Sequence, residues 1–182
     1  KAYAKGVMVL IDEAYFGFSK YTALPLLKRF SNLIIARTFS KSFGLAGCRV
    51  GYLISQPKIA SRLYRLRPMY EVNSIAILMV TALLKNEKFV RKYLNETNLG
   101  KKYLISKLKF LNINYLETHA NFLHIDFGRK KKIFVKLFNK KNILIKGGPG
   151  VKGYDSYLRI TLGPKKYMQP LINIIENKSI NW

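Results

Sequence analysis

Thr38-Phe39-Ser40-Lys41-Ser42-Phe43-Gly44-Leu45-Ala46-Gly47-Cys48-Arg49-Val50-Gly51-Tyr52 follows directly on the apolar, partly β-branched run Leu33-Ile34-Ile35-Ala36-Arg37, and this order decides the fold. The run predicts a strand over 33–38. Such a strand delivers the hydroxyls of Thr38 and Ser40 and the amine of Lys41 to its carboxyl end, the edge where open α/β sheets place ligands. A glycine-punctuated turn comes next, and Arg49 stands eight positions after Lys41. Hydroxyls and a guanidinium suit a phosphate monoester, because arginine offers a planar fork of donors to its oxygens. The lysine between them can condense with an aldehyde held by that phosphate.

Outward from this stretch the chain reads as alternating layers. Val7-Met8-Val9-Leu10-Ile11 is a continuous apolar run ending at Asp12, the pattern of a buried parallel strand. A short helical stretch is expected around 25–30, and a third strand over 50–54. Strands separated by helical connections predict an α/β architecture. After Pro57 the spacing of Ile59, Leu63 and Leu66 predicts a helix. A strongly apolar helix over 73–85 is expected to pack on the sheet. A longer amphipathic helix, from Glu87 to about Leu111, suits a connector between domains. The remainder reads as a small α+β unit, with strands at 113–116, 121–126, 143–146 and 157–161 and helices at 131–139 and 165–176. Gly147-Gly148-Pro149-Gly150 does not follow the dinucleotide-binding pattern and is read as a turn.

The ordered string from Thr38 to Tyr52 resembles the lysine motif of fold-type I pyridoxal-phosphate enzymes, specifically the histidinol-phosphate aminotransferase branch. In that pattern threonine-x-serine-lysine is followed by Gly-Leu-Ala-Gly, an arginine and Gly-Tyr. Ile11-Asp12-Glu13-Ala14-Tyr15 resembles the family's Asp-Glu-Ala-Tyr segment, and Tyr157-Leu158-Arg159-Ile160-Thr161-Leu162-Gly163 its late arginine motif. Tyr70–Ser74 and His119–Phe122 are also similar to family landmarks. The resemblance implies that Lys41 carries pyridoxal 5'-phosphate and shuttles the proton, with Thr38, Ser40 and Arg49 on the phosphate. It implies that Asp12 pairs with the protonated pyridine nitrogen, keeping it charged, and that Tyr15 hydrogen-bonds the phenolic oxygen. Glu13 is read as structural. Arg159 would receive the substrate's acidic group, with Lys146 and Asn121 beside it. Lys146 stands where the family usually carries a second arginine; it keeps the charge and loses the fork.

The implied fold is a pyridoxal-phosphate-dependent transferase of fold type I: part of the large-domain α/β sheet over 1–92 and the small carboxy-terminal α+β domain over 93–182. The implied reaction moves an amino group between glutamate and a small phosphorylated or carboxylated carbonyl compound, imidazole-acetol phosphate first among them. Alternatives are a threonine-phosphate decarboxylase-like enzyme or an aminotransferase for another small phosphate ester. A homodimer is implied too. The chain opens without an initiator methionine or a signal-peptide pattern and is expected to be the middle of a longer protein, inactive as a fragment.

Composition restricts the rivals. The formal net charge is +24, which invites a basic nucleic-acid-binding reading. The lysines, however, are scattered over nearly every segment, alongside abundant Ile, Asn, Tyr and Phe, a profile that AT-rich codon usage produces without any ligand. No nucleic-acid partner is expected. No apolar run reaches the roughly 18–20 residues of a membrane span, so no membrane partner is expected. One cysteine, Cys48, allows no internal disulfide and fits a reducing cytoplasm. His119, His124 and Cys48 lack metal-ligand spacing, and no metal is expected.

Overall fold

The computed structural model describes residues 1–179; the last three residues of the expected carboxy-terminal domain lie outside that range. The chain divides into two compact units, Lys1–Arg91 and Lys92–Trp182.

The first unit is built on a three-stranded sheet of order β1-β2-β3, with β1 at Val9–Asp12, β2 at Leu33–Thr38 and β3 at Gly51–Ser55. β1 runs parallel to β2, pairing Asp12 with Ala36. β3 returns antiparallel and pairs Gly51 with Thr38. The antiparallel return is a finding the apolar pattern did not contain. The connection 39–50 holds only a turn of 3-10 helix at Ala46–Cys48 and no crossover helix of the kind that usually joins parallel strands. The turn brings Gly51 so close to Arg37 that a Cβ there would lie 2.7 Å from the Arg37 carbonyl oxygen.

The strand expected to be buried over 7–11 is instead half-open. Val9 and Ile11 pack with Leu27, Leu33 and Ile35, whereas Leu10, on the opposite face, is 59% exposed. β1 is an edge strand covered on one side only among the described residues. α1 spans Pro57–Arg65 and α2 spans Ser74–Lys85. The Asn73 side chain caps α2, accepting from the Ala76 amide at 2.8 Å. Helical spacing puts Ala76, Val80 and Leu83 on one stripe; Val80 and Leu83 join the cluster of Phe39 and Leu45. Ile75 and Leu78, off that stripe, stay exposed. The helix therefore buries one side rather than all of its apolar surface.

α3, Glu87–Phe110, starts in the first unit and ends in the second. The second unit carries a four-stranded sheet of order β4-β5-β7-β6: β4 Tyr115–Leu116, β5 Phe122–Asp126, β6 Lys146–Gly147 and β7 Tyr157–Thr161. α4 spans Lys131–Lys140 and α5 spans Lys165–Ser179. Alternation sends Leu123, Ile125, Leu158 and Ile160 to one face, where they pack with Leu104, Leu108, Phe134, Phe138 and Ile172. Two strands are shorter than expected. Ile113 closes the end of α3, its amide donating to the Leu108 carbonyl after Asn112 at φ 53°. Ile143 and Ile145 pack against the core before pairing with β7 begins at Lys146.

Gly100 sets the fit of α3 against the loop after β7. A Cβ at this position would lie 1.9 Å from the Gly163 carbonyl oxygen and 3.1 Å from the Pro164 carbonyl carbon, both backbone atoms. Gly100→Ala is expected to destabilise the second unit by about 1–3 kcal/mol, the usual cost of overpacking, read as a lowered thermal midpoint.

Candidate active site

Strand order gathers six of the expected residues at one sheet edge. Asp12 ends β1 and Thr38 ends the neighbouring parallel β2, so both lie at the carboxyl side of the sheet. In-register pairing of Asp12 with Ala36 puts Asp12 and Thr38 on the same face, opposite the packed one. Asp12 Oδ1 accepts from the Ala14 amide at 2.9 Å, turning the chain so that Tyr15 follows at once. The half-buried Lys41 projects its Nζ over the Tyr15 ring, 5.7 Å from the centroid. A cation over an aromatic face is favourable in itself, and the contact brings the amine to the tyrosine that the resemblance assigned to the same group.

The turn between β2 and β3 is built by short-range bonds. The Thr38 hydroxyl donates to the Val50 carbonyl at 3.2 Å and accepts from the Ser40 amide at 3.0 Å. The Leu45 amide donates to Phe39 O at 3.0 Å and the Gly44 amide to Lys41 O at 3.1 Å. Gly44 (φ 71°) and Arg49 (φ 55°) both take the left-handed conformation, and for Arg49 that backbone is costly. Arg49 Nη1 donates to the Ala46 carbonyl at 2.9 Å, leaving the rest of an exposed guanidinium beside the turn. Thr38 thus has a demonstrable local role.

This donor set fits a phosphate ester that carries an aldehyde on a protonatable ring. An amine, two hydroxyls, an exposed guanidinium, a phenol and a carboxylate converge on the ends of adjacent strands, and the carboxylate and threonine share the sheet's open face.

Two further groups beside this edge form a buried ion pair on the opposite face. Arg37, next to Thr38 but on the packed face, pairs with Glu13 at 2.9 Å, with side chains only 8% and 7% exposed. Burial works against the Glu13 charge, but hydrogen bonds from the Ala23 amide, Arg37 and Thr22 outweigh it and hold the carboxyl below its ordinary range. The signal was present in the sequence as one arginine inside an apolar strand and one glutamate after another.

In the second unit, Arg159 occupies the middle of the half-open sheet face. Its register partners are His124 on β5 and Lys146 on β6, so the three side chains form a row across the strands. The guanidinium lies over Phe122, 3.9 Å from the ring centroid. Burial first, and the charge of Arg159 second, lower the pKa of His124. Asn121 immediately precedes β5, and its carbonyl accepts from the Leu162 amide at 2.8 Å, fixing the two chains side by side. Arg159, Lys146 and Asn121 thus belong to one sheet. His124 in this row, and Phe122 under the Arg159 guanidinium, are residues that the sequence did not single out for a role. Among the described residues no cluster of three His, Cys, Asp or Glu side chains is placed to hold a metal ion. No described helix is long and apolar enough to cross a membrane.

A family model described as aminotransferase class I and II matches residues 1–175. A histidinol-phosphate aminotransferase of Moorella thermoacetica is 34% identical over 174 residues, which cover 93% of this chain and 45% of that protein. The crystal structure of the histidinol-phosphate aminotransferase of Clostridium acetobutylicum superimposes with a TM-score of 0.85 at 23% identity, covering all of this chain and 57% of that one. That of Sinorhizobium meliloti, in complex with pyridoxal-5'-phosphate, gives a TM-score of 0.79 at 25% identity, covering 94% and 49%. The chain spans about half the length of these relatives.

Proposed function

We propose, from the premise that this chain belongs to the class I and II aminotransferase family and shares the fold-type I architecture of its structural neighbours, that it forms part of a pyridoxal-phosphate-dependent aminotransferase acting on a small anionic carbonyl compound. The single observation carrying the reading is the placement of Lys41 over Tyr15, at the strand ends that also hold Asp12 and Thr38.

Pyridoxal phosphate, when bound, supplies an aldehyde and an electron-withdrawing ring that accepts the electron pair of the substrate's broken C–H bond. The chain supplies the rest. Lys41 Nζ would hold the cofactor's aldehyde group and is the amine placed to carry a proton at the site. The Asp12 carboxylate keeps a ring nitrogen protonated by its charge. The Tyr15 hydroxyl holds the phenolic oxygen, and Ser40, Thr38 and Arg49 take the phosphate. Arg159 receives an acidic group of the substrate, with Lys146 adding charge without a fork and Asn121 adding an amide.

The unit Lys1–Arg91 is assigned to the large cofactor-binding domain and the following unit to the small domain. The assembled enzyme is assigned as a cytoplasmic homodimer. Glutamate is the amino donor and imidazole-acetol phosphate the first acceptor to test. The experiment is product analysis with the longest natural form of the protein. Glutamate-dependent amination of that acceptor supports the reading. Carbon dioxide release from a phospho-amino acid, without amino transfer, overturns it in favour of decarboxylation.

A further inference from the structure

Arg37 and Glu13 take part in none of the roles above, yet both are held by several contacts. The Glu13 carboxylate accepts from Arg37 Nε at 2.9 Å, from the Ala23 amide at 2.6 Å and from the Thr22 hydroxyl at 3.0 Å. Arg37 Nη2 pairs with the same carboxylate at 2.9 Å and donates to Thr22 Oγ1 at 2.9 Å. The guanidinium carbon sits 3.4 Å from the centre of the Phe16 ring.

Energetics alone do not account for this arrangement. Withdrawing two charges from water costs several kcal/mol per ion, and a well-packed apolar pair is often as stable or more so. What the fork and carboxylate supply beyond stability is fixed geometry. The position of the pair shows which geometry is fixed. Glu13 immediately follows Asp12, and Arg37 immediately precedes Thr38, each on the face opposite its neighbour. The Glu13 amide continues the ladder, donating to Ala36 O at 2.8 Å. Arg37 also grips both Glu13 and Phe16, which bracket Tyr15, and the Phe16 amide closes that turn on Glu13 O at 2.9 Å.

We infer that the Glu13–Arg37 pair is a positioning device for the cofactor residues, locking the exit of β1, with Asp12 and Tyr15, against the end of β2, with Thr38 and Lys41. It acts from behind the sheet and touches neither cofactor nor substrate. Without it, the loop over 13–23 would be free to move the carboxylate and the phenol relative to the amine. The inference rests on the proposed function, since it assigns the pair to that site.

Three measurements on the longest natural form of the protein test it: pyridoxal phosphate affinity, the pH midpoint of the visible absorbance of lysine-bound cofactor, and the thermal midpoint of the cofactor-free protein. Arg37→Lys keeps the charge and loses the fork and the stacking. Thr22→Val removes the hydroxyl that donates to Glu13 and accepts from Arg37, and keeps the ion pair itself. Arg37→Lys is expected to weaken affinity by roughly 10-fold and to displace the pH midpoint while the protein remains folded at the assay temperature. Thr22→Val should move both readouts the same way by less. A folded Arg37→Lys with unchanged affinity and midpoint overturns the inference; should that variant not fold, an unchanged Thr22→Val overturns it. If the unaltered protein takes up no cofactor, the proposed function fails, and this inference with it.

Discussion

Lys41→Ala, made in the longest natural form of the protein, is expected to abolish the visible absorbance of lysine-bound cofactor and to lower amino transfer by at least roughly 10²–10⁴-fold, the contribution of a positioned proton carrier. The physical reason is that one amine is assigned two jobs. It anchors the aldehyde and then moves the proton, and no second lysine follows Thr38 in the turn up to Arg49. The control is stability. Lys41 is half-buried and its amine lies over the Tyr15 ring, 5.7 Å from the centroid, an interaction of modest size. The thermal midpoint of the cofactor-free variant should therefore stay close to that of the parent. Retention of both absorbance and turnover would remove Lys41 from the chemistry altogether, and with it the enzymatic reading of this chain.

Arg159→Leu should lower kcat/KM for an anionic acceptor by about 30- to 5000-fold. This is the consequence of losing about 2–5 kcal/mol when one partner of a desolvated charge pair is truncated, and most of it should appear in KM. Arg159→Lys should recover only part, because the ammonium neither forks nor stacks as a guanidinium does over Phe122. A second readout separates substrate binding from support of the sheet. His124 is held below its usual pKa by burial first and by the Arg159 charge second. Arg159→Leu should raise the His124 pKa in the substrate-free protein, followed by its ring proton shifts, and Arg159→Lys should leave it nearly unmoved. A normal KM in Arg159→Leu, with the His124 shift present, would show that the arginine is structural.

Lys41 stood out as the proposed cofactor lysine because the chemistry around it is contiguous in the chain: hydroxyl, hydroxyl, amine, glycine turn and guanidinium follow one another within one strand and its exit. The two sheets were legible for the same reason, since β2 and β7 announce themselves as local alternations or apolar runs. Burial was less so. The run over 7–11 looks like a strand covered on both faces, but among the described residues only the face of Val9 and Ile11 is packed, and Leu10 on the other face is exposed. The spacing from 143 to 146 looks like a strand, but a strand exists only where a partner accepts its hydrogen bonds, and β7 does so at Lys146 and Gly147.

The sequence by itself determined the family and the order of the helices and strands, and singled out Lys41 as the proposed cofactor-bearing amine, because these depend on neighbours along the chain. Tertiary structure alone decided that β3 turns back antiparallel, that Lys146, Arg159 and His124 stand in one row, and that Glu13 answers Arg37 from behind Asp12 and Thr38. The first is a matter of strand direction and the other two of strand register. A shift of one residue sends every side chain to the other face, so the partner of a charge is chosen by hydrogen bonds between distant strands.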